Sequence, residues 1–467
     1  MKNRAYSLDA FRGCAIILMV LSGTVAWGVL PGWMYHAQVG PRSNFIFDPS
    51  IYGITWVDLV FPFFLFAMGA SFPFSIGNKY KNGVSKLNLL KDIFLRAIRL
   101  TFFAIFIQHM YPHVTSSPET VYSWWLAILA FLLMFPMFMN IPYRMPNSVK
   151  IAMKVVAYGL AIAILFNVSY ANGRVFSLSY SNIIILVLAN MALFGGIIYL
   201  FTIKNNWARI AVLPLLMAIL LSSNTEGSWA EFIFKFSPLP WFYQFNYLKY
   251  LFIIITGSVA GEYLYHWLHH LPKDESSSLG RTYLSGISLL CISIILVNVY
   301  NLYMRYLVLN VVVTILLLGL LYWLLKRKHE HVIYWRKMFA FGAYLLLLGL
   351  CFEAFEGGIR KDHATFSYYF VTSGLAFIAM IAFSIWCDIY KVNFLTKPLV
   401  YAGQNPMIAY VTPQLVVMPV LKLTGLSAYL TLLESNAWLG FLRGVIITLL
   451  TVFITLIFTR LKCFWRT

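Results

Sequence analysis

The sequence has 467 residues, of which 61% are hydrophobic and 11% are charged. Soluble proteins have roughly 45–50% apolar and about 25% charged residues, and a soluble chain of this size could not bury so much apolar surface. We therefore expect an all-α, polytopic membrane helix bundle. Lys and Arg outnumber Asp and Glu by 35 to 16. The charges lie between apolar runs, so membrane topology explains them and no nucleic-acid partner is expected.

About fourteen apolar runs follow one another along the chain, most of them near the roughly 20 residues that a membrane helix needs. They centre near residues 8–30, 56–77, 93–111, 122–140, 150–168, 181–203, 208–223, 246–267, 282–300, 306–325, 338–355, 367–388, 400–421 and 438–459. The first run is long and has no small-residue cleavage site, so no cleavable signal is expected. We treat residues 1–467 as a single membrane domain.

The basic residues give the predicted orientation, because cytoplasmic loops are enriched in Lys and Arg. With the N-terminus inside and the runs alternating, 26 of the 35 basic residues fall inside and the remaining nine outside. This bias predicts an even number of spans and two cytoplasmic termini. The residues predicted outside are Arg42, Arg174, Lys235, Lys249, Arg305, Arg360, Lys361, Lys422 and Arg443.

The cysteines argue against a stabilising crosslink. All five lie in or next to apolar runs, and no pair has the spacing of metal ligands. Structural disulfides and a zinc site are therefore not expected.

Ionisable residues inside apolar runs are functional candidates, because a charge in a membrane is costly. Asp9 and Arg12 lie three residues apart, so they share a helix face and can pair. A helix start capped by Ser7, with Arg12 reaching the cytoplasm, explains them structurally. Alternatively, Arg12 meets an anionic ligand at the inner surface, since guanidinium geometry suits phosphate.

Two predicted outer segments and one broken run carry further polar groups. His36, in the loop after the first run, can move a proton near neutral pH, and Asp58 begins the second run, where a helix N-terminus favours a carboxylate. For His36 the structural alternative is a loop histidine held by hydrogen bonds, and for Asp58 it is a helix cap.

In the segment 353–369, Glu353 lies inside an apolar run and a charged turn follows it. A loop whose charges pair with one another explains most of these charges. A proline breaks the run at 403–407, either as a kink or beside a cavity.

These segments together resemble the transmembrane acyltransferase family that includes heparan-α-glucosaminide N-acetyltransferase and its bacterial relatives. The S-x-D-x-x-R-G opening at 7–13 is similar to the family's first core helix. The most specific similarity is G-I-T with D-L-V-F-P-F-F-L-F and M-G at 53–69, which resembles N-G-L-T-x-x-D-L-V-F-P-x-F-x-F-x-M-G. Lys361 with the S-Y pair at 367–368, and G-x-N at 403–405, are similar to two later family segments.

The resemblance implies an enzyme that takes acetyl from acetyl-CoA on the cytoplasmic side and passes it to an amino sugar or glycan on the other side. It also implies a core of about ten spans, an integral protein of a bacterial inner (plasma) membrane, and a catalytic histidine in a His-Ala pair. His36 and Ala37 are similar to that pair. However, about twelve extra residues separate them from Gly53, and an ungapped alignment puts Asp48 at the histidine position.

These considerations give three sets of expected site residues. His36 is the expected base, and a carboxylate is expected to orient its ring. The expected catalytic residues are His36, Asp58 and Asp48. The expected acceptor-binding residues are Lys361, Ser367, Asn405 and Glu353. The residues expected to bind acetyl-CoA are Asp9, Arg12, Arg96 and Arg99, although positive-inside bias alone explains most of the basic cluster at 79–99.

Two other classes of protein compete with an acyltransferase. A secondary transporter or exporter of a sugar-like solute fits the span number, the broken run and the buried Glu353, but the two halves of the sequence show no internal repeat. A membrane scaffold without catalysis is the third alternative. Membrane lipid is an expected partner, and the oligomeric state stays open, with a homodimer as one alternative.

Overall fold

The structure is a computed structural model that describes residues 4–139, 145–270 and 279–465. Its principal helices are α1 Tyr6–Ser22, α2 Trp56–Ala70, α3 Lys86–His109, α4 Val121–Phe138, α5 Asn147–Asn167, α6 Ile183–Phe201, α7 Asn206–Ser222, α8 Leu251–His270, α9 Arg281–Met304, α10 Leu307–Leu324, α11 Glu330–Phe355, α12 Phe366–Ser384, α13 Lys397–Gln404, α14 Pro406–Leu423 and α15 Ala437–Arg460. Shorter helices, including Trp229–Lys235 and Ser427–Leu432, lie in the connections. The described part of the chain contains no β-strand.

The prediction of an all-helical protein is confirmed, and a helix lies at each of the fourteen predicted runs. Ten segments of the described chain are long and apolar enough to cross a membrane. The other four predicted runs correspond to α1, α3, α7 and α8, which are shorter or more polar. The span number of fourteen and the cytoplasmic termini stay predictions.

Helix α12 lies at the centre of the bundle. Every residue from Ser367 to Ser384 is buried, as expected of a helix that is apolar all round. It packs against α1, α2, α8, α9 and α11. By contrast, α5, α10 and α15 leave many large apolar side chains exposed, among them Val308 and Phe453. Those surfaces face lipid in an integral membrane protein.

Helix α1 packs closely against α2 and α13, and glycines permit the approach to α13. A Cβ built on Gly403 would lie 1.8 Å from the Asp9 carbonyl oxygen, and one built on Gly13 would lie 1.7 Å from the Leu399 carbonyl oxygen. Small residues at helix interfaces allow such contact between backbones in membrane proteins. The two glycines therefore fix where α13 crosses α1.

The helix pair α1 and α2 defines two ends of the bundle. Arg12 lies near the start of α1 and contacts Ala67 near the end of α2, so we call this the Arg12 end. The loop between the helices carries His36 and leads to the start of α2, which we call the His36 end. Four basic residues that the sequence predicts inside, Lys2, Arg144, Lys273 and Arg466, lie outside the described residues.

We expect Gly403→Ala to destabilise the protein by about 1–3 kcal/mol, because the added methyl meets backbone rather than a movable side chain. Thermal unfolding of the purified protein in detergent measures this as a lower Tm. Gly286→Ala in α9 is the matched control, since a Cβ there meets nothing within 4 Å. Equal Tm values for the two variants would contradict the close crossing.

Candidate functional site

His36 is held between two loops at the His36 end, one after α1 and one between α11 and α12. Its Nε2 lies 2.7 Å from Asp362 Oδ2, and its Nδ1 accepts the backbone N–H of Gln38 at 3.0 Å. A ring nitrogen that accepts a hydrogen bond carries no proton, so this pattern assigns the proton to Nε2, which donates to Asp362. These two contacts fix the orientation of the ring and favour one tautomer.

Asp58, buried at the start of α2, uses its two carboxylate oxygens differently. Oδ2 accepts the backbone N–H of Thr55 at 2.9 Å and that of Ala37 at 3.2 Å, so it caps α2 and holds the His36 loop. Oδ1 has no hydrogen-bond partner among the described residues. It lies 3.4 Å from His36 Nδ1 and 3.8 Å from Lys361 Nζ. Asp58 is thus both a helix cap and a negative charge beside the ring.

Gln38 joins the two loops that carry His36 and Asp362. Its side chain is fully buried. The amide group donates to the carbonyl oxygens of Pro49 at 3.1 Å and Asp362 at 3.0 Å, and its oxygen accepts the Asp362 N–H at 2.8 Å. These bonds position the backbone of Asp362, so its carboxylate reaches His36.

The proline in the D-L-V-F-P motif leads to a link between α2 and α12. Pro62 has no N–H, so the carbonyl of Asp58 four residues earlier lacks the partner that a helix normally provides. The buried hydroxyl of Tyr368 donates to that oxygen at 2.8 Å. The tyrosine of the S-Y motif therefore supplies a donor that the proline of the D-L-V-F-P motif lacks, and this bond connects the start of α2 to the central helix.

The two loop carboxylates at this end have lowered pKa values for different reasons. Burial acts to raise the pKa of Asp362, but the hydrogen bond from His36 and the charge of Lys361 outweigh it and hold the pKa below its usual value. Hydrogen bonds from the hydroxyl and backbone of Ser50 lower the pKa of Asp48. Because both pKa values are lowered, the ionised contacts persist at neutral pH and are lost only as the pH falls through those values.

Asp48, Glu353 and Ser367 have partners other than the His36 ring in the structure. Asp48 accepts from the Ser50 hydroxyl at 2.6 Å, Glu353 forms an ion pair with Arg305, and the hydroxyl of Ser367 contacts a neighbouring threonine hydroxyl at 2.7 Å. The backbone N–H of Ser367 donates to Glu356 at 2.9 Å, so Glu356 caps α12. Of the residues expected to bind the acceptor, Lys361 is the one that the structure brings to the ring through Asp58.

At the Arg12 end, the partly buried guanidinium of Arg12 does not form the expected pair with Asp9. It donates to the carbonyl oxygens of Ala67 and Gly403, both at 3.4 Å, which lie near the carboxyl ends of α2 and α13, where cations are favoured. Asp9 pairs instead with Arg4 at 2.7 Å, because the side chain of Arg4 meets it from the residues before α1. The expected role of Asp9 in binding acetyl-CoA stays a prediction.

A cavity of about 600 Å³ lies beside Arg12. It brings together three of the four residues expected to bind acetyl-CoA, Arg12, Arg96 and Arg99, with Lys79 and Lys154. Asp92 is the acidic residue of the described lining, and it pairs with Lys79 at 2.6 Å. The Nε of Arg96 is buried and has no hydrogen-bond partner in the described chain. The described lining of the cavity is thus rich in cationic side chains, whose charge suits a phosphate-bearing ligand.

Asn405, which is expected to bind the acceptor with His36, lies at the Arg12 end of the structure. Its side chain donates to the Cys463 carbonyl at 2.8 Å and accepts the backbone N–H of Trp465 at 3.3 Å. Gln404, Pro406 and Trp465 line the cationic cavity. The break between α13 and α14 lies near the beginning of the run predicted at 400–421, and this part of the run is at the Arg12 end.

Sequence reasoning missed Asp362 and Gln38 as parts of the site. The charged turn at residues 353–369 was expected to be self-paired, whereas Asp362 pairs with a histidine 326 positions away. The signal that could have found it is the position of Asp362 beside Lys361, in a loop on the same predicted side as His36. Lys154 was assigned to the inner side but not to a ligand site.

The structure therefore shows an all-helical integral membrane protein with a His–Asp site at one end and a cationic cavity at the other. The chain belongs to the family described as "Domain of unknown function (DUF5009)", whose profile matches residues 4–264, more than half of the sequence. That match includes His36, Asp58 and the arginines of the cavity.

Two curated proteins share a shorter segment with the chain. Heparan-alpha-glucosaminide N-acetyltransferase of Mus musculus is 35% identical over 105 residues, and that of Homo sapiens is 38% identical over 105 residues. Each match covers 22% of this chain and 14% of the relative. The chain thus matches only a small part of the length of these relatives, and the relationship to an N-acetyltransferase is partial.

The link between Tyr368 and the Asp58 carbonyl can be tested by a double-mutant cycle. We expect Tyr368→Phe to destabilise the protein by about 1–3 kcal/mol, because a buried carbonyl loses its donor. In a Pro62→Ala background the cost should shrink, since an alanine at this position supplies the N–H that proline lacks. Unfolding of the four proteins in detergent measures both costs. The same cost for Tyr368→Phe in both backgrounds would refute the link.

Proposed function

We propose that the protein is a membrane acetyltransferase. It takes acetyl from cytoplasmic acetyl-CoA at the Arg12 end and passes it to an amino sugar or glycan on the extracytoplasmic side, at the His36 end. The observation that carries this proposal is the placement of two complementary sites at opposite ends of one helix pair. With a rise of 1.5 Å per residue, about 14 Å of α2 separates Asp58 from Ala67.

The cationic cavity fits a phosphate-bearing donor. Five basic side chains line about 600 Å³, the Asp92 carboxylate is already paired with Lys79, and Arg96 keeps a buried donor without an acceptor in the described residues. Arginine forms bidentate hydrogen bonds with phosphate oxygens. When bound, acetyl-CoA supplies the thioester; Arg12, Arg96 and Arg99 would hold its phosphates.

At the His36 end, the chain supplies a base and groups that stabilise its charged form. In the transfer, the acceptor nitrogen or oxygen would form a bond to the acetyl carbon while the thioester C–S bond breaks and CoA leaves as its thiolate, and the proton of the acceptor must pass to a base. His36 Nδ1 is the nitrogen without a proton, and a proton taken up there lies beside Asp58 Oδ1, 3.4 Å away. Asp362 holds the other nitrogen. Both protons of the imidazolium would then face carboxylates, which is favourable in a buried site.

Lys361 provides the positive charge at this site. Its ammonium group is 3.8 Å from Asp58 Oδ1 and its side chain is partly exposed. From there it can position an acceptor oxygen and meet the negative charge that develops on the carbonyl oxygen during acyl transfer. The proposal thus assigns proton transfer to His36, ring orientation to Asp362 and charge stabilisation to Lys361 and Asp58.

The proposal predicts acetyl transfer from labelled acetyl-CoA to at least one member of a panel of amino sugars by the purified protein. His36→Ala should lower kcat by about 10²–10⁴-fold, the usual contribution of general acid–base catalysis. Asp362→Asn should cause a smaller loss, because the ring keeps its position but loses its negative partner. His113→Ala is the control, since His113 is an exposed histidine outside the site.

Three results would contradict the proposal or part of it. A folded protein that neither binds CoA nor acetylates any sugar would refute the proposal. Sugar uptake into proteoliposomes without chemical change would show a transporter instead. Full activity of His36→Ala would remove His36 from the mechanism.

A further inference from the structure

The last described residues of the chain form one wall of the cationic cavity. After α15 the backbone turns, and Trp465 pairs with Met139 through an isolated antiparallel bridge. The indole ring packs among phenylalanines of α3 and α4, with ring centroids 5.1 Å from Phe135 and 5.5 Å from Phe131. Trp465 is only 4% exposed, yet it lines the cavity. The segment is therefore built into the bundle.

Asn405 fixes this segment from the opposite side. Its amide donates to the Cys463 carbonyl and its oxygen accepts the Trp465 N–H, so both of its polar atoms hold the C-terminal segment. Asn405 is fully buried and follows α13, whose end also accepts a hydrogen bond from Arg12. The positions of the indole and of Arg12 are thus set by the same short break between α13 and α14.

Two donor atoms, on residues that line this cavity, have no acceptor in the part of the chain that the structure describes. They are the indole Nε1 of Trp465 and the guanidinium Nε of Arg96, and both atoms are buried. A buried donor without a partner costs free energy, and native structures rarely keep one without a reason. One of these donors belongs to Trp465 and the other to Arg96, which is one of the five cationic residues of the lining, and this set suits a ligand with several anionic oxygens.

We infer that Trp465 and Arg96 bind the phosphate-bearing nucleotide part of the acyl donor, and that Asn405 is the positioning residue that holds Trp465 in place. The inference rests on the proposed acetyl-CoA function. It assigns recognition of the nucleotide to the C-terminal segment, while the pantetheine part, which carries no phosphate, is left to the rest of the cavity.

Pairs of ligands with and without the nucleotide part test this assignment. Binding of CoA and of pantetheine, and acetyl transfer from acetyl-CoA and from acetyl-pantetheine, are measured for the wild type, Trp465→Phe and Arg96→Gln. Each variant should lose about 10-fold in CoA affinity, as expected for one hydrogen bond to a charged group. Pantetheine binding and kcat/KM for acetyl-pantetheine should not change. Trp465→Phe keeps an aromatic ring among the phenylalanines, so folding is preserved.

Matched controls are Trp438→Phe and Arg460→Gln, which change exposed residues outside the cavity. Variants that bind CoA like the wild type, or that lose CoA and pantetheine equally, would overturn the inference and leave the proposed function standing. Variants that discriminate between the two ligands in a protein without any transfer would support the inference and refute the proposed function. A wild-type protein that binds CoA no better than pantetheine would contradict both.

Discussion

The buried residue Asp58 ties together the parts of the structure on which the His36 end depends. One carboxylate oxygen caps α2 and holds the loop at Ala37, while the other faces the His36 ring and Lys361. Its carbonyl, left free by Pro62, is fastened to Tyr368. Loop, helix start and central helix therefore share one residue. Removing its charge would affect the position of the ring as well as its electrostatics.

The basic side chains of the protein lie in different surroundings at the two ends of the bundle. The arginines that the sequence predicts on one side meet in a cavity beside Arg12. Arg305 and Arg360, predicted on the other side, meet over the ring of Tyr52, at 5.5 Å and 5.0 Å from its centroid. A cationic surface suits an anionic donor, and a His–Asp site suits proton transfer. The basic residues thus gather in two places along the bundle, around the cavity at the Arg12 end and around Tyr52 in the loop that carries His36.

Much of this architecture could be predicted from the sequence, because apolar runs of helical length report directly on membrane helices. The position of Arg12, Arg96 and Arg99 on one side could be predicted by assuming that successive apolar runs cross the membrane in alternating directions. The pairing of His36 with Asp362 could not be predicted, since it joins loops 326 residues apart and depends on how Gln38 folds between them. Asn405 was expected with His36 because of its motif, but the position of the helix break places it at the other end.

Acetyl transfer between the two ends is the central claim, and sided proteoliposomes test it most directly. Labelled acetyl-CoA is supplied on one side of the membrane and an amino sugar on the other, in both arrangements, with orientation determined by proteolysis. We expect product only when the donor faces the Arg12 end and the acceptor faces the His36 end. Product that forms only when donor and acceptor share a side would contradict it.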